Sequence, residues 1–171
     1  MTVFGPEAPN ATGSGSATFV LSPTELSISA SWSGLSGTTA VAHIHCCTAT
    51  PGTGTVGVAV TPGTLIGFPA GVTSGTYDFT VDLTTSTSFT AGFITNFGGG
   101  TVDGARLALG QGFADGSAYF NIHTTTFPGG EIRGFIEPVP VPEPGGAALV
   151  GVALLAFVIP VARRRAPDRH R

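Results

Sequence analysis

Five side chains on two short segments have the chemistry to bind a metal ion or change redox state. They are His43, His45, Cys46 and Cys47 in Ala40-Val41-Ala42-His43-Ile44-His45-Cys46-Cys47, and His123 in Tyr119-Phe120-Asn121-Ile122-His123. Side chains alternate along a strand, so Val41, His43, His45 and Cys47 share one face, and Tyr119, Asn121 and His123 share another. Two imidazoles at i and i+2 can chelate one ion. A third histidine from a nearby strand would complete a three-nitrogen site for copper or zinc. No Asp or Glu stands beside them in sequence to orient the rings, and the same histidines would serve as hydrogen-bonded structural residues. Both readings stand at this point. Cys46 and Cys47 point to opposite sides of a strand, so they cannot share an ion unless the strand ends there. Their Cα atoms are ~3.8 Å apart, below the usual ~4.4–6.8 Å of a disulfide, yet an oxidising compartment can close a vicinal bridge between them. No oxyanion or substrate motif accompanies a cysteine-histidine nucleophile, and no catalytic residues are assigned.

The elements that must position these groups are short strands. Leu26, Ile28, Ala30 and Trp32 alternate with Ser27, Ser29, Ser31 and Ser33, giving one buried and one wet face. Similar runs occupy 16–22, 40–47, 55–61, 76–83, 88–95, 117–124 and 130–137, most of them separated by Gly, Pro, Ser or Thr. Val102, Ala105, Leu109 and Phe113 keep helical spacing and predict one short helix. Phe127-Pro128-Gly129-Gly130 reads as the connection of a terminal hairpin. With no lysine, 26 Gly and 13 Pro, the composition disfavours helix. The expected fold is all-β: an antiparallel two-sheet sandwich of seven to eight short strands with Greek-key connections and one short helix. Glu131 and Arg133 are expected to form a structural ion pair or to serve as cross-strand partners, and Arg106 is placed to pair with a body carboxylate.

Charge is unevenly spread. Up to Glu137 there are eight acids against Arg106 and Arg133, a net −6, which excludes an electrostatic footprint for nucleic acid. Five of the seven arginines fall in the last nine residues. Before them, 145–162 runs 18 residues without a charge, ~27 Å as a helix and close to a bilayer core. Arg163, Arg164 and Arg165 then act as the stop on the cytoplasmic side, placing the acidic body across the membrane. A transmembrane helix at 145–162 in contact with lipid is therefore expected. Export needs a basic and then apolar leader, which residues 1–6 do not show, so either the start lies upstream or the leader has been removed.

Val141-Pro142-Glu143-Pro144, an apolar stretch and an arginine cluster, in that order, resemble a PEP-CTERM sorting signal. That resemblance implies a bacterial protein handled by an exosortase-type membrane peptidase and sent to the cell surface or extracellular matrix. The body has its own likeness. Ser-Gly-Leu-Ser-Gly at 33–37, Ala-His-Ile-His at 42–45, and Asn-Ile-His-Thr with Phe-Pro-Gly-Gly-Glu-Ile-Arg-Gly across 121–134 resemble the CHRD domain, a module widespread in exported proteins. The family usually has glycine after the His-x-His pair, where this chain has Cys46-Cys47. The expected division is a CHRD-like domain at 1–137, a Pro-rich linker with the sorting motif at 138–144, the transmembrane helix at 145–162 and a basic tail at 163–171. The expected role is a non-enzymatic surface or matrix module without a cofactor, whose Ser/Thr-rich faces contact polysaccharide or protein. Its alternative is a copper- or zinc-binding extracytoplasmic protein, redox-active or not, built on His43, His45 and His123.

Overall fold

The computed structural model describes residues 1–139. The segment at 141–144 expected to be a sorting motif, the apolar run at 145–162 and the arginine tail lie outside the described residues. Among the described residues, no helix is long and apolar enough to cross a membrane. In chain order the elements are β1 (Thr2–Pro6), β2 (Ser14–Leu21), β3 (Glu25–Ser33), β4 (Thr39–His45), β5 (Val58–Val60), β6 (Gly75–Asp82), α1 (Ala91–Asn96), α2 (Val102–Asp115), β7 (Tyr119–Thr124) and β8 (Ile132–Phe135).

The all-β antiparallel class is as expected, but the two separate sheets are not. One curled eight-stranded sheet runs β5-β4-β7-β8-β1-β2-β3-β6, a half-barrel. The link is β1. Its residues Thr2, Val3 and Phe4 pair with β2, whereas Gly5 and Pro6 pair with β8. A strand that changes partner midway turns a corner and keeps both halves in one sheet. Sequence patterning did not mark β1, although Thr2 and Phe4 are buried around an exposed Val3. Its five residues, ending in Gly5-Pro6, are too few for a clear alternation.

The run at 88–95 is a second departure, since most of it forms α1 rather than a strand. Thr90 caps that helix by accepting from the Phe93 amide at 3.2 Å. Phe89, Phe93 and Phe97 stack at 6.0 and 5.3 Å between ring centres. Helical spacing of four brings Phe93 and Phe97 together at the end of α1, while Phe89, extended and bridged to Val60, packs on Phe93 from before the helix. The helix expected around 102–113 is α2, with Ala105, Leu109 and Phe113 buried. Thr101 caps its start, and Gly116 ends it in the left-handed conformation (φ 73°) that glycine adopts without steric penalty.

The concave face holds the core. Leu26, Ile28, Ala30 and Trp32 of β3 are buried, while Ser29, Ser31 and Ser33 are exposed on the convex side. Phe113 of α2 meets Phe19 of β2 edge-on at 6.0 Å, and Phe19 in turn lies 5.9 Å from Phe120 of β7. These contacts pack α2 against β2 and, through Phe19, connect it to β7. Ala42, Ile44, Phe120 and Ile122 point into this core with no exposed surface.

Candidate metal centre

With Ala42 and Ile44 turned inward, the pleat sends His43 and His45 to the convex face. Strands β4 and β7 are neighbours in register, with His43 opposite Asn121, His45 opposite Tyr119 and Val41 opposite His123. The structure therefore brings His43, His45 and His123 together, with one nitrogen of each ring within 4.8 Å of the others. Loops fold over this part of the convex face, so His43 and His45 are buried.

Those loops also fix the rings. The nitrogens His43 Nε2, His45 Nδ1 and His123 Nδ1 lie 2.9, 2.7 and 2.8 Å from the carbonyl oxygens of Gly63, Val56 and Pro128. A carbonyl only accepts, so each of these nitrogens carries the hydrogen and donates it. A neutral ring then keeps its lone pair on the other nitrogen: His43 Nδ1, His45 Nε2 and His123 Nε2. His43 Nδ1 lies 3.1 Å from His123 Nε2, and His45 Nε2 is buried with no partner. Burial holds His43 and His45 below the ordinary histidine range, their carbonyl bonds oppose this, and the neighbouring rings lower both further. Neutral imidazoles with fixed tautomers are the state that binds metal.

Three imidazole nitrogens are a donor set of the kind copper and zinc take. With metal–nitrogen bonds of ~2.0–2.1 Å, a tetrahedral pair of ligands lies about 3.3 Å apart, near the His43–His123 separation; a pair at the outer limit must close by roughly 1.5 Å. His45 stacks flat on Tyr119, with ring centres 4.6 Å apart and planes 4° apart. Val56, whose carbonyl takes the His45 hydrogen, also bonds the Tyr119 hydroxyl.

The family model described as CHRD domain matches residues 2–136. The chain belongs to the CHRD domain family. No curated protein and no solved structure matches it. Within this CHRD domain, the Gly-Gly-Glu-Ile-Arg segment does not make the ion pair expected of it. Glu131 is fully buried and accepts from the Ser36 and Gly37 amides and the Thr124 hydroxyl. Burial pushes its carboxyl up, but those donors outweigh burial and leave it below the ordinary value. Arg133 instead pairs with Glu7 at 3.4 Å, donates to the Gly54 carbonyl and lies 5.0 Å over the Tyr119 ring. The reason is reach. Glu131 lies beside the 36–37 loop, whereas Arg133 extends across β8 toward β1 and β7. Arg106 pairs with Asp103 on its own helix at 2.9 Å.

Cys46 and Cys47 of the CHRD domain are bonded to each other just past the end of β4. They lie against Gly112 of α2, where a Cβ would collide with both sulfurs. Sequence reading did not single out Glu7 or the three carbonyls around the histidines. Main-chain acceptors leave no residue-type signature, and only the Gly/Pro-rich loops at 51–63 and 127–130 hint at them.

Proposed function

We propose that this CHRD domain is an exported, non-enzymatic surface module that holds one copper or zinc ion on the convex face of its sheet. One observation carries the reading: three neighbouring imidazoles each give a hydrogen to a main-chain carbonyl, leaving His43 Nδ1, His45 Nε2 and His123 Nε2 as lone-pair donors. A structural histidine cluster would use those nitrogens in hydrogen bonds, and here His45 Nε2 has none. The test is metal analysis of the purified body after dialysis against zinc or copper. One equivalent is expected for the wild type and none for His43→Ala. Equal content in both would mean adventitious binding and end the proposal.

Delivery to the surface is part of the same proposal. The order Val141-Pro142-Glu143-Pro144, 18 uncharged residues, then Arg163-Arg164-Arg165 supports an inner-membrane anchor, processing by an exosortase-type peptidase, and a final place at the cell surface or in matrix. A second reading has its own support. Ser29, Ser31 and Ser33 of β3 and Thr76 and Thr80 of β6 form an exposed hydroxyl-rich face suited to polysaccharide or a matrix protein. Sedimentation of the body with the matrix polysaccharide of a producing strain tests it; no co-sedimentation would remove it.

A further inference from the structure

Asn121 has a place in the centre that the histidine reading does not use. It lies opposite His43 in the β4–β7 register and is 2% exposed. Its amide lies within reach of the His45 ring, and its Oδ1 is buried with no hydrogen-bond partner. An orphaned buried amide oxygen is unfavourable, so its persistence calls for an explanation. Its orientation is also set from behind. Asn121 Nδ2 donates to Glu7 Oε2 at a long 3.5 Å, and Arg133 holds Glu7 by its other oxygen at 3.4 Å. Glu7 can only accept, so the NH2 end of the amide turns toward it and the oxygen turns away.

We infer that Asn121 Oδ1 is the fourth donor of the metal centre, aimed by the Arg133–Glu7 pair; the inference rests on the three-histidine reading. Like His45 Nε2, Oδ1 is buried away from solvent. A bridging water would need ~2.8 Å to each partner, whereas an ion bonded at ~2.0–2.2 Å needs less room. The resulting set is three neutral imidazole nitrogens and one neutral amide oxygen. Such a set suits divalent zinc or copper(II), and disfavours copper(I), which prefers softer sulfur ligands.

The experiment is titration of the metal-free full chain with Zn2+ against a chromophoric chelator, and with Co2+ followed by its visible absorption. Asn121→Ala should weaken Zn2+ binding about 10–100-fold and shift the Co2+ bands, while Asn121→Asp, which keeps an oxygen donor, should restore affinity. Glu7→Gln, which can also present an N–H to Asn121, should give an intermediate loss. Circular dichroism melts identify any variant that has not folded; Asn121→Asp and Glu7→Gln then decide, each expected to alter the Co2+ bands. Unchanged affinity and unchanged bands in the folded variants would overturn the role of Asn121. If His123→Ala abolishes uptake in the same series, the histidine reading survives that failure. A wild type that takes up neither ion ends both.

Discussion

His43 Nδ1 stands 3.1 Å from His123 Nε2, although each ring has already given its hydrogen to a carbonyl on its far side. Two lone pairs at that distance repel unless something positive lies between them. A proton can fill the place by making one ring an imidazolium, and a metal ion can fill it without disturbing either carbonyl bond. The two differ in what burial permits. Desolvation disfavours the imidazolium at His43 and, beside it, at His45. An ion that gathers several donors compensates for its own desolvation by bonding them.

The metal-free domain should therefore lose stability as the medium turns acidic. The folded values of His43 and His45 lie below the ordinary 6.5, chiefly through burial. Above 6.5 both folded and unfolded chains are neutral at these sites, and stability is at its full value. As pH falls from 6.5 through the lowered folded values, the unfolded chain takes up protons first and stability declines. Urea melts at pH 8, 6.5 and 5 read this directly. His43→Ala with His45→Ala should flatten the profile, and a wild type already flat over that range would sink the account.

Glu131 should matter more than any exposed charge. Its carboxylate closes the 36–37 loop onto the β7–β8 hairpin through two main-chain amides and the Thr124 hydroxyl. Glu131→Ala leaves these donors without an acceptor, a loss of about 3 kcal/mol or more; Glu131→Gln, which keeps one oxygen, should lose about half that. Because the folded carboxyl lies below its ordinary 4.5, its contribution is complete above that pH and fades as pH falls through the folded value. Denaturant midpoints between pH 5 and 3 should therefore converge for the wild type and Glu131→Gln. A Glu131→Ala midpoint equal to the wild type would show that the loop does not depend on this carboxylate.

Much of this arrangement was legible in residue order, because strand alternation is local. It put Leu26, Ile28, Ala30 and Trp32 inside, and it put His43 with His45 and Asn121 with His123. That β4 and β7 are neighbours is set by sheet order, which local alternation does not contain. Helical spacing reveals α2, whereas α1 spans only Ala91–Asn96, too short for a clear helical period, and its β-branched Ile94 and Thr95 read as a strand. Two sheets were expected because the change of partner within β1 leaves no trace in composition. Glu131 and Arg133 were expected to pair because they are two apart; the better acceptors and donors come from residues about a hundred positions away.

The C-terminal segment predicts a fractionation result. Expressed in a host without exosortase, the full chain should sediment with membranes, and a version ending at Glu137 should remain in solution, since it lacks the 18 uncharged residues. In a bacterium that has an exosortase, surface protein should lack Arg171 by mass spectrometry. Retention of Arg171 at the surface would remove the sorting reading and leave the anchor.

Two glycines in α2 should respond in opposite directions to the same substitution. A Cβ at Gly110 would meet only Leu21 Cδ2 at 3.8 Å, an ordinary contact, while a Cβ at Gly112 would collide with the sulfurs of Cys46 and Cys47. Gly110→Ala removes backbone freedom from the unfolded chain inside a helix, and should stabilise by about 0.5–1 kcal/mol. Gly112→Ala gains the same propensity but overpacks the contact between α2 and the cysteine pair, and should destabilise by about 1–3 kcal/mol net. Chemical denaturation of both variants measures the difference. Repeating Gly112→Ala in a Cys46→Ser, Cys47→Ser background assigns the cause. The smaller, unbridged hydroxyls can yield, so the penalty there should shrink by at least about 0.5 kcal/mol, the coupling expected of residues in contact. An undiminished penalty would mean that the added methyl meets something other than the sulfurs, and that the cysteine pair does not set how closely α2 approaches the end of β4.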